Sequence, residues 1–140
     1  MKNCAFLLAL LLITSGSMMA TAQPRPRGKV SAKKQKKTKV QYGTASYYAN
    51  KFQGRPTASG APYDKDKMTC AHNSLPFGTW VKVTNMRNKR SVIVRVTDRL
   101  HHNNQRVVDL SRIAASKLGY TKRGLARVKV EVLPNYHPAP

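Results

Sequence analysis

Acid is what this chain has least of. Five Asp and Glu stand against twenty-six Lys and Arg, a formal charge of +21 over 140 residues. With so few carboxylates, a site that works through one acidic side chain fits better than one that needs several. Cysteine is nearly missing too: only Cys4 and Cys70 occur. Cys4 falls in an expected leader, so Cys70 is left alone, which excludes an intramolecular disulfide in the remainder. A lone cysteine of this kind is expected as a small buried apolar residue. Long apolar runs are absent apart from Ala5 to Ile13, which is short of the ~20 residues a bilayer-spanning helix needs. No internal repeat or heptad interrupts the rest.

The first residues have the pattern of a secretory leader. Lys2 gives the positive start, the apolar run follows, and Ala20-Thr21-Ala22 is a small-x-small cleavage site. Residues 1–22 are therefore expected as a signal peptide, with the mature chain beginning at Gln23. Inside a cell such a basic protein would be expected to meet nucleic acid. Export argues against that partner and for the polyanions of the envelope, in the periplasm or at the cell surface. Residues 23–40 hold eight Lys and Arg in eighteen positions and no apolar period. They are expected to form a disordered basic linker, either a tether to an anionic envelope surface or a solvated spacer.

Residues 41–134 are expected to form one domain, a single small core burying ~60–65% of the unfolded surface. Residues 135–140 are expected to fray. Alternation predicts strands over 44–49, 80–86, 91–97, 106–108 and 126–133. Val81 and Val83 share one face, as do Val92, Val94 and Val96, and Val128, Val130 and Val132. Arg87-Asn88-Lys89 is a turn that pairs the second and third of these as a hairpin. One helix is expected, capped by Asp109 or Ser111, with Ile113, Ala114 and Leu118 inward and Gly119 ending it. Phe77 is expected in the core. Many short strands, one helix and frequent turns point to a small, mainly β barrel.

Four motifs in order carry a resemblance. Gly43-Thr44-Ala45-Ser46-Tyr47-Tyr48 opens the domain, and Phe52-Gln53-Gly54-Arg55-Pro56-Thr57-Ala58-Ser59-Gly60 follows. Tyr63-Asp64 then precedes Met68-Thr69-Cys70-Ala71-His72-Asn73-Ser74-Leu75-Pro76-Phe77-Gly78-Thr79. The last is Val94-Arg95-Val96-Thr97-Asp98-Arg99 with Val107-Val108-Asp109-Leu110-Ser111-Arg112. Over residues 43–133 this order resembles the rare lipoprotein A family of septal-ring lytic transglycosylases. The resemblance implies a six-stranded double-psi β-barrel. It also implies cleavage of peptidoglycan glycan between N-acetylmuramic acid and N-acetylglucosamine, leaving a 1,6-anhydro end. A non-catalytic, expansin-like glycan-binding module is the alternative. The family loop Thr-Ala-Asn-Gly-Glu is here Thr57-Ala58-Ser59-Gly60-Ala61, without the glutamate, and Leu100-His101-His102 replaces Gly-Pro-Phe after Asp-Arg.

On that resemblance Asp98 is the candidate acid, with Asp64 and His72 as groove residues supporting it. Tyr48, Thr57, Ser59 and Arg99 complete a candidate substrate-binding set. An anhydro-forming lyase needs one carboxyl group that first gives a proton and then takes one. An ordinary aspartate titrates near ~3.9, so Asp98 must be shielded from the surrounding cations, by burial or by a neighbouring carboxylate such as Asp64. A loop anchor ion-paired to Arg99 is the competing role for Asp98. His72 either orients Asp98 or a sugar, or fastens the 69–76 loop. Tyr47 and Tyr48 point to opposite sides of their strand, one to the groove and one inward. Cys70, His72, His101, His102 and Asp98 together fit no familiar zinc spacing, so no metal or cofactor is expected, and the protein is expected to act as a monomer.

Overall fold

The valine-rich alternation closes a barrel. The computed structural model describes residues 38–140, so the expected leader and residues 23–37 of the linker lie outside the described residues. Six strands follow in chain order: β1 Val40–Tyr47, β2 Thr69–Ala71, β3 Trp80–Asn85, β4 Ser91–Asp98, β5 Val108–Leu110 and β6 Ala126–Val132. Around the barrel the order is β1-β5-β2-β4-β3-β6, closed on itself. β1 with β5 and β2 with β4 run parallel, and the other neighbours are antiparallel.

The inward faces are those the alternation predicts. Val81 and Val83 of β3 pair with Val94 and Val92 of β4, and Val83 pairs again with Val130 of β6. Val81, Val83, Val94, Val96 and Val108 are fully buried, each such side chain contributing about 1.5–3 kcal/mol over its exposed state. β-branched side chains pack well on a curved pleated wall, which is why this core is valine rather than leucine. Cys70 is buried among them, and burial pushes its thiol well above the ordinary range. It is a core residue, as expected.

The helix α1, Arg112–Leu118, buries Ala114, Ala115 and Leu118 and ends at Gly119 in the left-handed region. The Gly119 N–H closes on the carbonyls of Ala115 and Ser116, a glycine-terminated cap. Four local expectations need correction. Asp109 does not cap this helix: it sits inside β5. Ser111 holds the cap position, but its buried hydroxyl makes no hydrogen bond. β2 falls where the sequence predicts loop, since three residues are too few to show a period. Phe77 is 43% exposed rather than core; it lies in the loop between β2 and β3, outside the barrel wall, and packs one ring face against the Arg99 guanidinium at 3.9 Å from the centroid. In the tail, Tyr136 packs edge-on against Trp80 at 5.3 Å between centroids.

Candidate active site

β4 delivers its last residue, Asp98, to one end of the barrel. The strand cannot run on unchanged, because Ala71 of β2 pairs with Asp98 only after a register shift between Cys70 and Ala71. Past that shift the His72 N–H donates to the Asp98 carbonyl at 3.0 Å. The half-buried Asp98 side chain then meets three donors. Its Oδ1 accepts from the N–H of Ala58 and of Arg99, each at 2.8 Å. Its Oδ2 accepts from the Tyr48 hydroxyl at 2.5 Å.

None of the three donors is a cation. The Arg99 guanidinium turns away, donating from Nη1 to the His72 carbonyl at 2.8 Å and to the Asp98 carbonyl at 3.4 Å while lying over Phe77. The ion pairs found among the described residues, Arg106–Asp109 and Lys129–Glu131, leave Asp98 out. Tyr48 is held as a phenol: burial, then its hydrogen bond to Asp98, raise its pKa far above the ordinary tyrosine value. Its ring rests on Tyr63 at 4.4 Å between centroids and edge-on to Phe52 at 5.9 Å. Tyr47, on the other side of β1, packs against Tyr120 and donates to the Thr121 carbonyl at 2.8 Å.

The 57–61 loop is what brings the Ala58 N–H to Asp98. The Thr57 N–H and hydroxyl both donate to the Ala61 carbonyl, at 2.9 and 2.7 Å. The Ser59 hydroxyl then donates to Thr57 Oγ1 at 2.9 Å, and the Ser59 N–H ties the loop to the Thr97 carbonyl at 3.1 Å. Gly60, at φ 90°, supplies the left-handed step that closes it. The loop therefore uses the backbone of Ala61, and the missing glutamate side chain removes none of these bonds. Thr57 and Ser59 spend their hydroxyls inside the loop.

Asp98 opens onto a groove walled by Tyr48, Phe52, Arg55, Arg99, Arg106 and Asp109 among others. Ala71 is the strand partner of both Asp98 and Asp109, so two strand spacings, about 9–10 Å, separate their Cα atoms. Asp109 is gripped by one guanidinium: Arg106 Nε reaches Oδ1 at 2.7 Å and Nη2 reaches Oδ2 at 2.9 Å. That pairing raises the Arg106 pKa, with burial pulling the other way.

His72 and Asp64 are not among the residues walling this groove. The buried His72 ring lies between two partners. The Ser74 N–H donates to Nδ1 at 3.1 Å, which makes Nδ1 an acceptor and puts the proton on Nε2, facing Gln41 Oε1 at 2.7 Å. Burial lowers the His72 pKa, with Lys39 and Arg99 adding to the effect. Asp64 instead shapes a turn, accepting the Asp66 N–H at 3.0 Å, and that bond is the largest cause lowering its pKa. Asp64 makes no hydrogen bond to Asp98 among the described residues and does not wall its groove. The sequence reading missed Asp109, Arg106, Phe52 and Arg55 as groove residues. Only the Arg106-x-x-Asp109 spacing hinted at the ion pair.

Residues 40–130 match the lytic transglycolase family. Over 89 residues the chain is 56% identical to the endolytic peptidoglycan transglycosylase RlpA of Pseudomonas aeruginosa (strain UCBPP-PA14), covering 64% of this chain and 26% of that protein. Over 123 residues it is 41% identical to the endolytic peptidoglycan transglycosylase RlpA of Haemophilus influenzae, covering 82% of this chain and 43% of that protein. The chain thus spans less than half the length of these relatives. Among solved structures, an expansin variant of Clavibacter michiganensis in complex with cellohexaose superposes with a TM-score of 0.58 at 21% identity, over 72% of this chain and 54% of that one. A Streptomyces papain inhibitor superposes at 0.54 and 24% identity, over 68% of this chain and 96% of that one. Likeness at those identities carries the fold alone, and one barrel serves many functions. The sequence relatives carry more: the chain belongs to the lytic transglycolase family and has its six-stranded double-psi β-barrel.

Proposed function

We propose that this protein is exported to the cell envelope, acts as a monomer and cleaves peptidoglycan glycan strands between N-acetylmuramic acid and N-acetylglucosamine, with Asp98 as the acid and then the base. The observation that carries the reading is the Asp98 carboxyl group, open to a groove and held by the Tyr48 hydroxyl and two backbone N–H groups rather than by a guanidinium. Oδ1 is occupied by both amides, so Oδ2 is the oxygen that exchanges protons. In the first half, Oδ2–H protonates the glycosidic oxygen as the bond to C1 breaks. In the second, the sugar's own 6-hydroxyl bonds to C1 and its proton passes to Oδ2, which leaves a 1,6-anhydro end and a restored acid.

Tyr48 suits both halves, because a hydroxyl donates to the carboxylate and accepts from the acid, whereas an N–H can only donate. Asp109 has both oxygens bound by Arg106 and is poorly placed to activate a water, as hydrolysis with a second carboxylate would require. The rings of Tyr48 and Phe52 offer apolar faces to a sugar, and the charge of Arg55 and Arg99 suits the muramic acid carboxylate. His72 is a positioning residue acting through its backbone bond to Asp98. Thr57 and Ser59 act by shaping the loop, and the basic segment 23–40 serves as a tether to the anionic envelope.

A non-catalytic glycan-binding module is the second reading, favoured by Ala61 where the family carries glutamate. Stem-peptide-free glycan incubated with the protein, followed by mass spectrometry, separates the two. Anhydro ends that disappear with Asp98→Asn are expected. Intact glycan that co-sediments equally with the parent protein and Asp98→Asn would leave only the binding module.

A further inference from the structure

The barrel has a second distinctive face, formed by the outward sides of β1, β6 and β3. Cross-strand register puts Tyr42 beside Lys129 and Thr44 beside Arg127, and Lys129 in turn beside Thr84. Val40 and Lys82 both neighbour Glu131 on the same side. Three of the four exposed large apolar residues among the described residues lie on or beside this face: Tyr42 at 64%, Leu125 at 53% and Val40 at 42%. Beside it opens a cleft walled by Thr44, Arg87, Lys122, Arg123, Leu125 and Arg127, none of which walls the Asp98 groove. None of those four cations has an acidic partner among the described residues. Glu131, the acid of this face, is paired with Lys129.

The cleft is rigidly built. Asn85 and Asn88 both donate to the Leu118 carbonyl, at 3.1 and 2.8 Å, fixing the β3–β4 turn to the end of α1. The Met86 N–H donates to the Arg127 carbonyl at 2.9 Å, and the Gly124 N–H donates to the Tyr120 carbonyl at 3.0 Å. The cations thus project from a braced frame, with the exposed side chain of Leu125 among them and the exposed ring of Tyr42 on the adjoining sheet face.

We propose that this face docks on an anionic phospholipid surface. Guanidinium groups match phosphate geometry in forked pairs. Each basic side chain near such a surface adds attraction. A tyrosine and a leucine raised among cations suit the boundary between headgroups and acyl chains, where an amphipathic ring has one wet end and one dry end. Charge complementarity favours this occupant over a glycan strand, whose carboxylates come one to a disaccharide, whereas a phospholipid surface offers a dense array of phosphates to the four cations. β1 begins at Val40 on this face.

The test is co-sedimentation of the protein, recovered after export with residues 23–40 intact, with phosphatidylcholine vesicles with or without phosphatidylglycerol. Binding is expected only where phosphatidylglycerol is present, and it is expected to weaken steeply with salt. The triple variant Arg87→Gln, Arg123→Gln, Arg127→Gln is expected to lose more than about 50-fold in affinity. The pair Tyr42→Ser, Leu125→Ser is expected to lose about tenfold while keeping the salt dependence. Thermal melts matching the parent show that both variants are folded, and each variant tests the face independently of the other. Parent-like binding by both variants would overturn the proposal and leave the attraction to residues 23–40. So would equal binding to neutral vesicles, or a loss of glycan binding in the triple variant that matches its loss of vesicle binding.

Discussion

Asp98 and Asp109 flank the same alanine of β2 from the strands on either side of it, yet they are held in opposite ways. Asp109 is locked by the two-pronged grip of Arg106. Asp98 is held only by neutral donors, one of them a hydroxyl. A guanidinium never releases its proton and favours the anion at all times, which fixes a carboxylate as structure. Neutral donors orient a carboxyl group without adding a full charge, and a hydroxyl can follow it through protonation. On the proposed mechanism one groove therefore contains a structural acid and a working acid, and the difference in their partners is what the proposal rests on.

The sharpest way to break this contrast is to exchange each acid for its amide. Asp98→Asn keeps the shape but cannot carry the proton, so glycan cleavage is expected to fall by about 10³-fold, within the range for loss of general acid–base catalysis. Anhydro-product yield by mass spectrometry measures it. Tyr48→Phe comes next: it removes one donor from Oδ2 and leaves the ring stack, with about a tenfold loss expected in kcat and little change in KM. A Tyr48→Phe protein as active as the parent would show that the hydroxyl only fills space. Asp109→Asn is expected to act through Arg106, loosening a groove wall and lowering kcat/KM about tenfold with the loss mainly in KM. Turnover as low as in Asp98→Asn would end the distinction between the two acids.

This contrast was only half visible in the sequence. The Val-x-Val alternation that ends in Thr97-Asp98-Arg99 marks a strand delivering an acid to a loop, because period and terminus are local properties. The barrel class and the buried valine faces were legible for the same reason. What held Asp98 was not. Arg99 is its chain neighbour and looked like its ion partner, but the backbone at the strand end turns the guanidinium towards Phe77 and the His72 carbonyl. The true partners lie 50 and 40 residues away, and only the closure of β1 and the 57–61 loop onto β4 brings them in. Asp109 misled in the other direction. Asp followed closely by Ser before an apolar helical pattern reads as a cap, and the helix does begin there, but β5 runs through Asp109 first. A three-residue strand leaves no period to be read.

His72 gives the last and smallest test, because it supports one acid and not the other. Its N–H braces the Asp98 carbonyl, and its ring accepts at Nδ1 from Ser74. Protonation would set the new Nδ1–H against the Ser74 N–H, two donors facing each other in a buried place. Burial accordingly lowers the His72 pKa, so the unfolded chain takes up this proton more readily than the folded one. The linked stability is then present above the unfolded value of about 6.5 and is lost as pH falls below it, towards the lowered folded value. Denaturant titrations at pH 7 and pH 5 are expected to differ by on the order of 1 kcal/mol through this residue, the worth of the hydrogen bond at stake. His72→Gln is expected to flatten that difference, since an amide does not titrate in this range. If the acid-induced loss persists undiminished in His72→Gln, the buttress behind Asp98 does not depend on the neutral ring, and the two acids are supported alike.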